Sequence, residues 1–322
     1  MATTKTLQQA IRYFSDEQVC IDAVAALRWP DGKPTCPACG KQDHYYLKTQ
    51  KRWKCKECGR QFSVKLGTIF EDSPLGLDKW LAALWMLVNC RNGVSSYEVA
   101  RDLGITQKSA WFMLHRLRYG LQDKNDGGKL GGGPHSKVEI DETFIGGKAR
   151  NMHKGRRQRM TTVGKYTAKT AVLGMLERGG KVKTTVIGQR VGKQMQQIVR
   201  ENVATGTWVM TDEFPGYYGL DKDFTHLVVN HLDRYVQGNV HTQGIENFWS
   251  LLKRGLGGTY VCVEPFHLFR YVDEQAFRFN NRKDAEGKKL TDEDRFNLAL
   301  SQVAGRRLTY QELTGKLHEE TF

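Results

Sequence analysis

Two groups of residues in this sequence have types and spacings that can do chemistry: four cysteines near the start and three acids spread over the second half. Cys36-Pro-Ala-Cys39 and Cys55-Lys-Glu-Cys58 are Cys-x-x-Cys knuckles, each followed by a glycine, Gly40 and Gly59, that lets the backbone turn beneath the sulfurs. Fifteen residues separate the pairs and include strand-like runs around residues 44–47 and 52–54, which is how a zinc ribbon is built. Four thiolates close a tetrahedral shell, so the expected occupant is one structural Zn2+ with no open position for catalysis. His44 reads as a surface residue rather than a further ligand. The other cysteines, Cys20, Cys90 and Cys262, lie in apolar sequence and read as buried inert thiols.

The acids are Asp141, inside a strand-like run, Asp212, at the end of a short apolar run, and Glu246, early in a helical stretch that starts near Thr242. Carboxylates converging on one spot repel unless cations neutralise them, so two Mg2+ or Mn2+ ions are their natural complement. Such a pair can activate a water or a 3′-hydroxyl and stabilise the leaving oxygen of an in-line phosphoryl transfer, the chemistry of nicking and joining DNA. Lys253 follows Glu246 by seven residues, two helical turns, and so shares its angular position. A cation there can hold a substrate phosphate, and Arg254 adds charge one position round. A single Asp at a strand end is more often a cap than a ligand. The joint pattern, with 33 residues between Asp212 and Glu246 and the lysine at seven, outweighs that. Glu142, Glu213 and Asn247 are the rivals for individual roles, with Asp233 further off.

Positioning these acids falls to an α/β arrangement. Strands are expected at residues 138–145, 170–176 and 182–187 before any convincing helix, then a helix at 193–202, strands at 208–211 and 226–229, and a helix from 242 to 256. That order predicts a ribonuclease-H-like mixed sheet with flanking helices. Ahead of it, residues 77–119 turn helical. Trp80, Leu81, Leu84, Leu87 and Val88 form an apolar stripe, and a helix-turn-helix follows: Ser95 and Glu98 as a capping box, Gly104 as the turn, Thr106 as the second cap. Such a pair places its second helix in a DNA major groove, where Lys108, Arg116 and Arg118 would make contact. The division expected is a zinc ribbon at 1–70, the helix-turn-helix module at 71–125, a Gly-rich linker at 126–136, the catalytic domain at 137–283 and a C-terminal tail at 284–322. The linker is too poor in apolar residues to hold one conformation.

The chain carries 49 Lys and Arg against 35 Asp and Glu, a formal charge of +14, which calls for a polyanionic partner. Nucleic acid fits. No apolar run reaches the roughly 18 residues of a spanning helix, which argues against a membrane, and the start of the chain lacks a secretory signal. Paired cysteines of the metal-binding kind fit a reducing cytoplasm, at the nucleoid.

Four stretches carry a resemblance to a known family: Val138 to Gly147 (VEIDETFIGG), Thr211 to Phe214 (TDEF), His241 to Arg254 (HTQGIENFWSLLKR) and Phe277 to Arg282 (FRFNNR). They resemble the blocks of bacterial insertion-sequence DDE transposases that carry an N-terminal zinc ribbon, over a span from the ribbon to about Arg282. The resemblance implies Asp141, Asp212 and Glu246 as the metal triad, with Lys253 as the accompanying cation. The implied activity is DNA transposition, by strand cleavage and strand transfer at the element's ends. Residues 148–169 then read as a basic insertion beside the first acid. Arg150, Lys154, Arg156, Arg157, Arg159 and Lys165 lie in it without an acid, well sited to grip phosphates of transposon ends or target. Synapsis of two ends requires a homodimer or higher oligomer. The rival readings are a non-catalytic DNA-binding regulator and a metal-dependent nuclease or resolvase.

Overall fold

The computed structural model describes residues 5–122, 128–147, 153–159, 161–162, 165–166, 169–187, 191–229 and 241–315. The chain divides into two compact units, one of residues 1–122 and 281–322, the other of residues 123–280.

The first unit begins with α1 (Leu7–Tyr13) and α2 (Glu17–Arg28), started by the side-chain caps Thr6 and Asp16. An antiparallel sheet follows, β1 (His44–Leu47), β2 (Arg52–Cys55) and β3 (Gln61–Phe62), in that order. Alternation along β2 turns Trp53 and Cys55 inward and Arg52 and Lys54 outward, and Trp53 packs against Trp29 and Phe62 with ring centroids 5.1 and 5.9 Å apart. Helix α3 (Leu77–Asn89) is buried at every position from 80 to 88, so it is the axis of the unit rather than a one-striped surface helix. Then α4 (Ser96–Leu103) and α5 (Gln107–Gly120) form a helical pair. Ser95 and Glu98 make the reciprocal cap, Gly104 turns at φ 60°, and Thr106 caps α5. Cys20 is buried and its thiol is pushed up to about 12 by desolvation, whereas Cys90 and Cys262 are exposed, against the burial expected of them. Cys90 sits just beyond α3, where apolar neighbours in sequence do not imply cover.

The second unit contains β4 (Lys137–Ile145), a short α6 (Lys154–Arg159), the two-residue strands β5 (Thr161–Thr162) and β6 (Lys165–Tyr166), then β7 (Thr170–Glu177), β8 (Val182–Ile187), α7 (Gly192–Asn202), β9 (Trp208–Thr211), β10 (Thr225–Val228), α8 (Gln243–Gly255) and α9 (Leu268–Asn280). Its main sheet runs β10-β9-β4-β7-β8. β4 is central, parallel to β9 and antiparallel to β7, and β10 extends the parallel side. Val138 and Ile140 of β4, with Leu173 and Met175 of β7, face a core completed by Met195 and Val199 of α7. The opposite face, through Val172 and Leu176, packs on Ile245, Phe248, Trp249 and Leu252 of α8 and on α9. Asn280 ends α9 with its side-chain amide on both backbone groups of Val182, at 2.8 and 3.0 Å, standing in for a neighbouring strand.

Two segments depart from the sequence expectation. Within the linker, Leu130 is 4 % exposed and its backbone pairs with Asn202 and Ala204 at 2.8 Å each; one apolar residue with a slot is enough to hold it. Gly131, at φ 81°, is required there, because a Cβ would come 2.3 Å from the Thr207 hydroxyl. The tail expected after residue 283 is part of the first unit. Helix α10 (Asp292–Ser301) sets Phe296 between Phe14 and Trp85, with centroids at 5.4 and 5.3 Å, and α11 (Tyr310–Thr314) follows. Buried Arg306 donates to the carbonyls of Tyr119 and Gln122 at the end of α5, where a cation offsets the helix dipole. Phe296→Ala is therefore expected to destabilise the first unit by about 3–5 kcal/mol. Urea unfolding followed by tryptophan fluorescence measures this, and a loss below about 1 kcal/mol would remove α10 from the core.

Candidate active site

Strand alternation does more than bury apolar residues in β4. Where Val138 and Ile140 face α7, the intervening positions Glu139, Asp141 and Thr143 point to the α8 side. Asp141 stands opposite Gly174 of β7, and a Cβ at that glycine would lie 2.5 Å from the Trp249 ring and 2.8 Å from Ile245. The missing side chain lets the indole lie on the strand, where its Nε1–H donates to Asp141 Oδ2 at 3.0 Å. Asp212 follows β9. The parallel register sets Met210 beside Glu139, and two residues on it brings Asp212 level with Asp141. The Asp212 carboxylate accepts the Phe214 backbone N–H at 3.1 Å, a tight turn that stops the strand there. Glu246 lies in the first turn of α8, exposed, with Thr242 donating to its Oε1 at 2.9 Å; a carboxylate is favoured at that end of a helix. Lys253 and Arg254, in the last turn, are exposed.

These groups share one electrostatic field. The Asp141 carboxyl is pushed up to about 6, first by burial and then by the charge of Asp212, with Glu246 acting in the same direction; the Trp249 N–H and the charge of Lys253 oppose the rise. One lysine does not balance three acids. Of the rivals, Glu142 accepts the Tyr217 hydroxyl at 2.6 Å, Glu213 and Asn247 are exposed, and Asp233 lies outside the described residues.

Three residues here escape a reading of the sequence. Glu139 is 1 % exposed, accepts Arg178 Nε at 2.7 Å and accepts the Ile245 backbone N–H at 3.0 Å. Arg178 also donates to the His241 carbonyl at 2.7 Å. The alternation that places Asp141 also places Glu139 on the same face; nothing in the sequence points to Arg178. Trp249 is legible only as an apolar helix residue.

In the first unit, the sulfurs of Cys36, Cys39, Cys55 and Cys58 all lie within 4.8 Å of one another, with Cys36 to Cys58 at 3.7 Å and Cys39 to Cys55 at 3.5 Å. A tetrahedron of sulfurs about 2.3 Å from a zinc has edges of roughly that length. His44 stays outside the cluster, against Phe62. The expected DNA contacts on α5 require correction. Lys108 is exposed, its Nζ 5.2 Å from the Tyr310 ring centroid, but Arg116 and Arg118 are 3 % and 1 % exposed. Arg116 donates to the Glu71 carbonyl and lies over Trp80 and Phe112, and burial brings its guanidinium down to about 10. Helix α5 is buried at both arginines, so neither is presented to a groove. In the basic insertion Lys154 is exposed; the side chains of Arg156, Arg157, Arg159 and Lys165, and all of Arg150, lie outside the described residues.

A family model described as the ISXO2-like transposase domain matches residues 129–280, and one described as the transposase zinc-ribbon domain matches residues 15–61. A protein of the transposable element ISH50 of Halobacterium salinarum is 27 % identical over 261 residues, covering 76 % of this chain and 85 % of that protein. A transposase-like protein of Haemophilus influenzae is 33 % identical over 102 residues, 31 % of this chain and 82 % of that protein.

The raised Asp141 carboxyl sets a sign for stability. A carboxyl near 6 in the folded chain and near 3.9 when unfolded disfavours folding once it is ionised, fully above pH 6 and not at all below about pH 4. Asp141→Asn should accordingly stabilise the metal-free protein at pH 8 by about 1–2 kcal/mol, a gain that fades as pH falls from 6 to 4. Chemical denaturation in chelator across that range is the check, and a variant less stable than the parent at pH 8 would refute the cost of ionising Asp141 in its buried, acidic surroundings.

Proposed function

The chain belongs to the insertion-sequence transposases that carry an N-terminal zinc ribbon, and from that premise we propose that it binds the ends of its element and catalyses metal-dependent DNA strand cleavage and strand transfer. The observation that carries this reading is the gathering of Asp141 on β4, Asp212 at the end of β9, and Glu246 and Lys253 on α8 around one side of a mixed sheet, each of the last three acting on the Asp141 carboxyl. The strand order, with a central β4 antiparallel to β7 and parallel to β9, supports a ribonuclease-H-like catalytic domain.

The donor set suits hard divalent cations. Three carboxylates, one pushed up to about 6 by burial and by the charges of its neighbours, offer oxygen ligands and an excess of negative charge, which Mg2+ or Mn2+ would neutralise. When bound, two such ions supply the Lewis acidity that activates a water or 3′-hydroxyl and stabilises the leaving oxygen. The protein's own groups do the positioning: Trp249 orients Asp141, Thr242 orients Glu246, and Lys253 holds a phosphate oxygen of the strand being cut. Tyr217 occupies Glu142 and Arg178 occupies Glu139, which leaves Asp141 as the acid that β4 contributes to the site. Lys108, Lys154 and Arg254, exposed, with Arg156, Arg157 and Arg159 of the insertion, are the proposed phosphate contacts to transposon ends and target. Two protomers or more would act together in the synaptic complex, at the nucleoid in the cytoplasm. Among the described residues no helix is long and apolar enough to cross a membrane.

One structural Zn2+ on Cys36, Cys39, Cys55 and Cys58 would hold the ribbon. Cys39→Ser should lower bound zinc from about one per chain to near zero and abolish the ribbon's cooperative melting; full zinc content in the folded variant would rule out this ligand set. For the reaction itself, the wild type and Asp212→Ala are compared on a labelled duplex carrying the element's own end, with Mg2+. Joined product from the wild type alone is expected. Cleavage without joining would replace the transposase reading by a nuclease, and binding without either by a regulator.

A further inference from the structure

Helix α8 carries Glu246 in its first turn, yet Thr242 at its start makes no side-chain cap bond to the helix backbone, because its hydroxyl goes to Glu246. The first amides of a helix need acceptors. One of them, Ile245 N–H, is taken by Glu139 Oε2 at 3.0 Å, from a different element altogether. Glu139 is two residues before Asp141 on β4, so the strand that holds the first acid also caps the helix that holds the third. Its second oxygen accepts Arg178 Nε at 2.7 Å, and Arg178 reaches on to the His241 carbonyl at 2.7 Å, just before the helix begins.

Burying a carboxylate to 1 % exposure is costly unless it is paired and hydrogen-bonded, and an apolar side chain would fill the same volume without that cost. What the charge does here is tie the start of α8 to β4 and to Arg178. Gly244 shows how close the fit is, since a Cβ there would lie 2.8 Å from Glu139 Oε2 and 2.6 Å from Leu176. One turn later Trp249 Nε1 makes a second tie, to Asp141. Glu246 lies between the two ties.

We propose that Glu139, set by Arg178, is a positioning residue that caps α8 from β4 and thereby fixes the spacing of Asp141 and Glu246 on which cation binding depends. The inference rests on the metal-dependent reading above. Its test measures Mn2+ binding to the full chain by electron paramagnetic resonance, alongside the Mg2+ dependence of nicking, for the wild type, Glu139→Gln and Gly244→Ala. Glu139→Gln keeps an acceptor for Ile245 but loses the charge that fixes it to Arg178; Gly244→Ala keeps the charge and pushes the helix start away. Both are expected to fold, to bind Mn2+ at least tenfold more weakly, and to recover most of the nicking rate at raised Mg2+. If Glu139→Gln fails to fold, Gly244→Ala carries the test. Folded variants with Mn2+ affinity within twofold of wild type would overturn the inference, while a wild type that binds no Mn2+ would overturn the metal-dependent reading itself.

Discussion

Like charges held together against their repulsion are the constraint around which the second unit is built. Asp141 titrates near 6 because burial and the charges of Asp212 and Glu246 all oppose its ionisation. Nothing in the mutual interaction of those acids brings them close; the backbone must do so. The sheet supplies two of them through the parallel pairing of β4 with β9, whose register brings Asp212 level with Asp141. The third arrives on a helix, whose approach is not fixed by any ladder, and there the ties from Glu139 and Asp141 to α8 take over.

Close approach of α8 also explains where glycine is used. At Gly174 the sheet gives up a side chain so that Trp249 can lie against it, and at Gly244 the helix gives one up so that its start can rest on Glu139. Both changes shorten the path between strand and helix. Glycine in a strand interior weakens the strand, and at Gly174 that loss is offset by an indole that packs on the bare backbone and hydrogen-bonds to Asp141.

Much of this architecture is legible in the amino-acid sequence alone. Period-two alternation locates β4, a continuous apolar run locates β7, and cysteine spacing locates the ribbon, because these patterns are dictated by local geometry. The Ser95 and Glu98 cap and the Gly104 turn are readable for the same reason. What escapes is non-local. Arg178 is 39 residues from Glu139 and 63 from His241, and no spacing rule links them. Arg116 and Arg118 look like groove contacts because helix position alone says nothing of what distant sequence will cover. Here Glu71 and Trp80 take Arg116, and Arg306, from near the end of the chain, closes over the end of the same helix. Residues 284–322 read as a tail because the charged run hides Phe296, whose partners Phe14 and Trp85 are far away in sequence.

The acids also help to specify the fold that carries them. Shifting β4 by one residue against its neighbours would turn Val138 and Ile140 toward α8 and send Glu139 and Asp141 into the apolar face packed on Met195 and Val199. Two carboxylates buried there without partners would cost far more than the apolar residues could recover on the other side. The slipped register is thus penalised twice, once by lost apolar burial and once by unpaired charge. A strand with apolar residues on both faces would lack that second penalty. Placing Glu139 and Asp141 on alternate positions of the central strand therefore locks the register that brings Asp212 level with Asp141, so the feature that makes the site electrostatically costly also keeps it in place.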